Sequence, residues 1–398
     1  MSTTSRRLPA WTAIAATAAL TSACFSGAGQ TQNASTGAEE DVGDPVPGGI
    51  MEMAVPSDAT SLDPHREASY NTHAAVGSVY SRLTAFKTGE DVEYGTTEVE
   101  GDLAQEWEAN EDSTEWTFQL REGVTFHDKP PVNGREFTSA DVLCTMERIQ
   151  TLPGHQLTLI SDVTDISAPD DYTVTFTLAS PNVDFDRTLA NPFLVILPCE
   201  ATEGEVDLDT DAIGTGAFVL DEWTRDRERV LSANPDYFVE GRPYLDGYHV
   251  TIMPDAQSQQ AALRSGKLDL MAGLSIDARQ VDTLLSQVEG LRLRQEGGST
   301  QTRIYLNVNE EPFDDLNVRR AVAHAIDREG MIEGLRAGGS LTGPVTPSFE
   351  GALSSEEVAE LTPYDPELAK EADAGMIETY AGAYLDGAAQ AVADLLKK

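Results

Sequence analysis

Histidines are the residues of this chain with the most versatile chemistry, because an imidazole can exchange a proton near neutral pH or bind a metal. The six histidines stand at positions 65, 73, 127, 155, 249 and 324. No two of them are four residues apart, which is the spacing that places two metal-binding imidazoles on one helix face. His65 and His73 flank a turn and a helix start, where they could meet a ligand or a metal or serve as loop and capping groups.

The sequence contains no motif that supplies a nucleophile or a general base. The patterns GxSxG, HExxH and CxxC are absent, and Ser265-Gly266-Lys267 lacks the upstream glycine of a phosphate-binding loop because Ala261 takes its place. Neighbouring acids such as Asp314 and Asp315 are typical of a solvated surface in so acidic a chain. We therefore expect a binding protein without catalytic residues, cofactor or metal, with a secreted carboxylate hydrolase as the alternative.

The amino-acid composition excludes some classes of binding partner. The chain has 398 residues, of which 67 are acidic and 27 basic, and its formal net charge is −40. This length allows two or more domains at about 100–200 residues each. A strongly negative protein repels phosphates and anionic headgroups, so we expect no nucleic-acid partner and no contact with the membrane except through an anchor.

The amino terminus reads as an export signal. Arg6 and Arg7 precede an apolar run that is too short to span a bilayer and ends in small residues, so residues 1–23 are predicted to be a signal peptide. The sequence Leu20-Thr21-Ser22-Ala23-Cys24 resembles a lipobox, which implies lipidation of Cys24; an ordinary signal peptide is the alternative. Residues 24–48 are polar and form a predicted flexible tether.

The two other cysteines, Cys144 and Cys199, belong to a protein that is predicted to reach an oxidising compartment. A disulfide between them is one interpretation. Two separately buried thiols are the other, and the spacing does not decide between them.

Strands and helices alternate along the body of the chain. Apolar runs and period-two alternation predict strands at 50–55, 116–120, 172–178, 248–252, 268–271 and 303–308. Helices are predicted at 69–83, after the capping sequence Thr138-Ser139-Ala140-Asp141, at 254–263 and at 318–326. This alternation indicates an α/β fold with a parallel or mixed sheet.

Several short segments follow one another in a recognisable order. They are Ser61 to Pro64, Asp102 to Trp107, Leu120 to Asp128, Thr138 to Val142, Ile213 to Gly216, Asn234 to Tyr237, Arg242 to Asp246, Pro312 to Asp315 and Val318 to Asp327. In these segments the chain resembles the family 5 extracellular solute-binding proteins of ABC transporters, the group that binds oligopeptides, dipeptides and nickel.

The resemblance implies a periplasmic-binding-protein-like, two-lobe α/β fold of type II (cluster C) that closes on a ligand. Lobe I would comprise residues 49–83 and 212–290, a β-rich domain over 84–211 would be inserted into it, and lobe II would occupy 291–398. Family members continue past residue 370, so this lobe is expected to be incomplete. An amphipathic helix is predicted at 388–396. His127-Asp128 would be a structural turn, and Gly214-Thr215-Gly216 a crossover where the backbone makes a close approach.

Ligand contacts are predicted in three places. The stretch after the first strand offers His65, Tyr70, Asn71 and Tyr80. The glycine crossover offers Thr215, and the first predicted strand of the second lobe offers Arg303 and Asn307. Each of them could instead be a core aromatic, a cap or a surface group.

The resemblance implies a monomeric lipoprotein on the outer face of the cytoplasmic membrane. It would capture a small peptide and deliver it to the permease and ATPase subunits of an ABC importer. A nickel or other metal chelate, haem or a sugar is the alternative ligand for a receptor of this kind. A non-functional, truncated remnant is the alternative from a different class.

Overall fold

A computed structural model describes residues 45–66, 68–89, 92, 96–271, 278–294, 301, 303–335, 339–346 and 351–373. The predicted signal peptide, the lipidation of Cys24, most of the tether and the helix at 388–396 lie outside these residues. Of the two units into which the chain divides, the one that begins at Ala34 contains every described residue.

The described strands are β1 (Ile50–Val55), β2 (Thr84–Phe86), β3 (Val99–Gly101), β4 (Ala104–Ala109), β5 (Glu115–Leu120), β6 (Val163–Asp170), β7 (Thr173–Leu178), β8 (Phe218–Thr224), β9 (Glu228–Ala233), β10 (Gly247–Ile252) and β11 (Leu270–Met271). The described helices are α1 (Tyr70–Val76), α2 (Ser139–Thr151), α3 (His155–Leu159), α4 (Phe185–Leu189), α5 (Cys199–Thr202), α6 (Ala256–Arg264), α7 (Ala278–Gln287), α8 (Leu316–Ala325), α9 (Arg328–Leu335), α10 (Ser355–Leu361) and α11 (Pro366–Asp373).

A five-stranded sheet brings together the two ends of the segment 50–271. Its strand order is β11-β1-β10-β9-β8. The first strand, β1, lies parallel to β10 and β11, whereas β9 is antiparallel to β10 and β8. The sheet is therefore mixed, as the alternation of strands and helices predicts.

A four-stranded antiparallel sheet with the order β4-β5-β7-β6 lies between these two ends in the sequence. Its inward side chains include Phe118, Val174 and Phe176, which are fully buried, while the threonines of β7 face outward. The period-two alternation therefore predicts both β5 and β7 correctly. Strands β2 and β3 form a separate antiparallel pair.

Side-chain caps begin three of the predicted helices. The Asp141 carboxylate accepts the Thr138 backbone N–H at 3.1 Å ahead of α2. Asp255 caps α6 by accepting from Ser258, and Asp315 caps α8 by accepting from Asn317. Each cap satisfies a backbone donor that has no partner inside its own helix.

The helix predicted at 69–83 is wrong beyond Val76, where α1 ends. The carbonyl groups of the following residues accept hydrogen bonds from a distant segment. Ser78 accepts from the Phe218 N–H, and Val79 accepts from the Gly216 N–H. These bonds fix the backbone of 78–80 alongside residues 216–218, and a continuing helix would consume the same carbonyls.

The strand predicted at 303–308 is also wrong. The segment has no regular secondary structure, and Ile304, Tyr305 and Val308 are exposed. A strand needs a neighbour to pair its backbone groups, and the structure pairs no described strand with this segment. The nearby helix α8 forms as predicted and packs on α11 around buried Val318 and Ala321.

Candidate functional site

The loop after β1 is fixed by a buried carboxylate. Asp63 accepts the backbone N–H of His65 at 3.0 Å and the Nη2 of Arg148 in α2 at 2.6 Å. Burial alone would raise the pKa of Asp63, but the hydrogen bond and charge of Arg148 hold this pKa below its ordinary value. The loop is therefore ionically tied to α2.

His65 lies inside the protein. Its Nε2 is 3.0 Å from the carbonyl oxygen of Val195, and only 1% of the residue is exposed. Burial lowers the pKa of His65 to about 4, so the ring is neutral at neutral pH. His65, a predicted ligand contact, therefore lies within hydrogen-bond distance of the buried Val195 carbonyl.

Tyr70 and Asn71 begin α1 and differ in their surroundings. The Asn71 amide donates to the Ser57 hydroxyl at 3.0 Å and to the Asp58 carbonyl at 3.3 Å, so it closes the loop. Tyr70 is 76% exposed. Among the predicted contacts of this stretch, its aromatic ring is the one presented to solvent.

A cluster of three rings adjoins the same loop. Phe193 lies edge-on to His73, with ring centroids 4.2 Å apart, and to His155, with centroids 4.9 Å apart. We call these residues the Phe193 cluster. It combines an apolar ring with two imidazoles, which suits a ligand that has both aromatic and polar parts. Spacing along the chain does not indicate Phe193 or His155 as neighbours of His73, because both are distant from it in sequence.

The backbone of the glycine crossover forms hydrogen bonds with two other backbone segments. On one side the Gly216 N–H donates to Val79 at 2.9 Å. On the other side the His127 backbone N–H donates to Gly214 at 2.9 Å. The predicted close approach of the backbone is present, and His127 belongs to it as a contact residue.

Thr215 and Tyr80 are buried at this crossover. The Tyr80 ring would lie 2.6 Å from a Cβ on Gly214. Burial raises the pKa of the Tyr80 hydroxyl, so it stays protonated. Their predicted roles as ligand contacts stay predictions.

The contact distances at Gly216 predict that Gly216→Ala is strongly destabilising. A Cβ there would stand 2.3 Å from the Ser78 carbonyl oxygen and 2.6 Å from the Val79 carbonyl carbon, so the backbone must move. We expect a loss of more than about 2 kcal/mol in the free energy of unfolding, measured by urea titration.

Gly343→Ala is the matched control for that substitution. Its nearest neighbour would be the flexible Leu353 side chain at 3.4 Å, an ordinary contact. We expect Gly343→Ala to lower the free energy of unfolding by less than about 0.5 kcal/mol. Equal losses at the two positions would show that the crossover is not tightly held.

Arg303 and Asn307 bond within their own neighbourhood. The Arg303 guanidinium donates to the Pro344 carbonyl at 3.1 Å and to the side chain of Gln301. The Asn307 side chain accepts the Asn309 backbone N–H at 3.2 Å. Both residues are exposed, and their predicted contacts with a ligand stay predictions.

Cys144 in α2 and Cys199 in α5 are joined by a disulfide, with Cα atoms 5.4 Å apart. Beside it, Arg135 bridges Asp141 at 2.6 Å and Glu200. The junction between the two helices is thus held covalently and ionically.

Neither a metal-binding cluster nor a membrane-spanning helix occurs among the described residues. Within them, no three histidine, cysteine or acidic side chains gather closely enough to hold a metal ion. In the same part of the chain, none of the helices combines the length and apolar character that crossing a bilayer requires.

Comparisons with known proteins give a consistent result. The chain is 30% identical over 314 residues to the probable D,D-dipeptide-binding periplasmic protein DdpA of Escherichia coli K12, which covers 77% of this chain and 59% of that protein. It is 31% identical to heme-binding protein A of Haemophilus influenzae, over 77% of this chain and 58% of that protein. This chain thus spans about three fifths of the length of these relatives.

A solved structure has the same fold. The periplasmic binding protein DppA of Helicobacter pylori, in complex with the peptide STSA, superposes with a TM-score of 0.71 at 28% identity. The superposition covers 83% of this chain and 66% of that one. The mixed α/β fold is therefore that of the periplasmic binding proteins. A sequence model described as "Bacterial extracellular solute-binding proteins, family 5 Middle" matches residues 98–375, and the chain belongs to this family.

Proposed function

We propose that this chain is the extracellular substrate-binding component of an ABC importer, which captures short peptides and delivers them unchanged to a membrane permease and its ATPase. The observation that carries the proposal is membership of family 5 across residues 98–375. Peptides are proposed as the ligand because DdpA is a probable D,D-dipeptide-binding protein and the Helicobacter pylori structure contains a peptide.

The proposed division of the chain assigns residues 49–83 and 212–290 to one lobe and 84–211 to an inserted domain. It is supported by the five-stranded sheet, which takes all its strands from the first set, and by the four-stranded sheet, which takes its strands from 104–178. The crossover at Gly214-Thr215-Gly216 would then lie where the inserted domain returns to the first lobe, and one buried core continues across this junction. Residues 291–398 would belong to the second lobe.

The proposed location is the outer face of the cytoplasmic membrane, with the chain anchored by a lipid on Cys24. The support is the small-residue sequence that ends at Cys24 and the polar stretch that follows it. Growth with radioactive palmitate should label the wild-type protein and leave Cys24→Ala unlabelled. Equal labelling of the two would exclude this anchor.

Isothermal titration calorimetry with dipeptides and tripeptides tests the proposed ligand class. We expect one-to-one binding with a negative change in heat capacity, because burial of apolar peptide surface lowers the heat capacity. Tyr70→Ala should weaken binding by about tenfold, since the exposed ring offers apolar contact. Val183→Ala, an equally exposed apolar residue of the inserted domain, is the control. No binding by a protein that melts cooperatively would contradict the proposal.

Haem or a metal chelate is the second candidate ligand. The Phe193 cluster favours it, because two imidazoles and an aromatic ring could contact a metal complex with an organic frame, and a relative is named a heme-binding protein. Absorbance titration with haemin and with a nickel–histidine complex distinguishes these ligands from peptides. A shift that the double variant His73→Ala/His155→Ala abolishes would favour this candidate.

A further inference from the structure

The ring of His127 contacts the crossover through both of its nitrogens. The Gly214 N–H donates to Nδ1 at 3.4 Å, and Nε2 lies 3.1 Å from the carbonyl oxygen of Gly216. Because Nδ1 accepts, the single proton of the neutral ring must be on Nε2, which donates to Gly216. His127 is buried, so water cannot replace either bond while the crossover stays in place.

Other groups complete the surroundings of the ring. The Asn234 amide donates to the same Gly216 carbonyl at 2.9 Å. The Lys129 ammonium, two residues along the same turn, donates to Asp211 at 2.6 Å and to the Leu220 carbonyl at 2.9 Å. Lys129 therefore bonds to the chain on both sides of the crossover, at Asp211 before it and at Leu220 after it.

Burial, hydrogen bonding and nearby charges have opposite effects on the pKa of the His127 ring. Burial lowers the pKa of His127 to about 4 and the charge of Lys129 acts in the same direction, whereas the hydrogen bond to Gly216 and the charge of Asp221 act against them. The Asp211 carboxylate is paired with Lys129. Tyr80, across the crossover, is neutral because burial raises the pKa of its hydroxyl.

We propose that His127 is an acid-sensitive latch on the crossover at Gly214-Thr215-Gly216, and that a second proton on its ring releases the crossover. That proton must go to Nδ1, where it would face the Gly214 N–H and replace an acceptor with a second donor. The ring would also become a buried cation. Both effects favour an open crossover in which the imidazolium reaches water.

The sign of the pH dependence follows from the depressed pKa. A free imidazole has a pKa of about 6.5, so the latch is fully closed above that pH. Its contribution falls as the pH drops from about 6.5 to about 4, because the open form binds the proton more tightly. Given the proposed division of the chain, this opening would loosen the inserted domain from the first lobe in acid.

Hydrogen exchange at the crossover amides tests the latch without any solute. The readouts are the protection factors of Gly214 and Gly216, whose N–H groups donate to His127 and Val79. After correction for intrinsic rates, we expect the wild type to lose at least about tenfold in protection between pH 6.5 and 4.5. Solute binding is not needed, so failure of the proposed function would leave this result unaffected.

His127→Gln is the decisive variant, because its amide can donate to Gly216 but cannot take up a proton in this range. The loss of protection should be absent there and unchanged in the control His65→Gln, which removes the other buried imidazole. An equal loss in His127→Gln would overturn the proposal.

A spectroscopic measurement on the wild type covers the case in which His127→Gln fails to fold. Nitrogen-15 shifts of the His127 ring should show the Nε2–H tautomer at pH 7, and protonation should coincide with the loss of protection. An Nδ1–H tautomer, or protonation without faster exchange at Gly214, would overturn the latch.

Discussion

Replacing Cys144 and Cys199 together with serine should lower the free energy of unfolding by about 4 kcal/mol. The two cysteines are 55 residues apart, and opening a loop of this length returns roughly that much chain entropy to the unfolded state. Urea unfolding of the double variant, monitored by tryptophan fluorescence, measures the loss, because Trp107 and Trp116 lie in the adjoining sheet.

Reduction of the wild type with dithiothreitol is the matched control, since it opens the same loop without changing the sequence. The reduced wild type and the double variant should unfold at the same urea concentration. A difference below about 1 kcal/mol between the oxidised wild type and the double variant would show that the disulfide does not carry this stability.

Replacing Arg148 with methionine should cost about 3–5 kcal/mol of unfolding free energy, because it removes the buried cation of Asp63 and leaves only the more distant, exposed Arg66 at 3.7 Å. The Arg148 side chain is 12% exposed and that of Asp63 only 3%. The pKa of Asp63 should rise in this variant, because Arg148 no longer favours the carboxylate. Urea titrations at pH 7 and pH 5 should therefore show a smaller loss at the lower pH.

Arg187→Met is the control for that substitution. Arg187 also pairs with an acid, Asp184, at 2.6 Å, but both side chains are about half exposed. Exposed pairs contribute about 0–1 kcal/mol. If the two variants lose the same stability, burial of the Asp63–Arg148 pair is not what stabilises the loop after β1.

Local patterns predicted the elements that depend on local physics. The alternation of Trp116, Phe118 and Leu120 matches β5, and the cap residues Thr138 and Asp141 begin α2. Both signals act between residues that are close in sequence, so they can be read without knowing the rest of the fold.

The two wrong elements depend on partners that are distant in sequence. The helix predicted at 69–83 ends early because Val79 and Ser78 bond to Gly216 and Phe218, more than 130 residues away. The strand predicted at 303–308 has suitable residues, but no described strand pairs with it. Residue type alone cannot supply either fact.

In the candidate site, too, the sequence predicts features that depend on local geometry and misses those that depend on distant residues. The glycines of the crossover predicted a close backbone approach, because only a residue without Cβ fits beside Ser78 and Val79. In contrast, sequence could not distinguish buried His65 from partly buried His73, or show that Phe193 contacts His155. Burial and long-range contact arise only when the chain has folded.

Two buried contacts hold the backbone around the candidate site. Asp63 ties the loop after β1 to α2, and His127 holds the crossover, while Tyr70 remains exposed at the start of α1. The two contacts restrict motion where the proposed receptor needs a defined ligand surface.

Incubation with an isotopically labelled dipeptide, followed by native mass spectrometry and chemical analysis of the recovered label, tests the receptor most directly. The account predicts one dipeptide per folded chain, recovered intact after hours at room temperature. A cooperatively folded protein that retains no dipeptide, or that returns free amino acids, would contradict it.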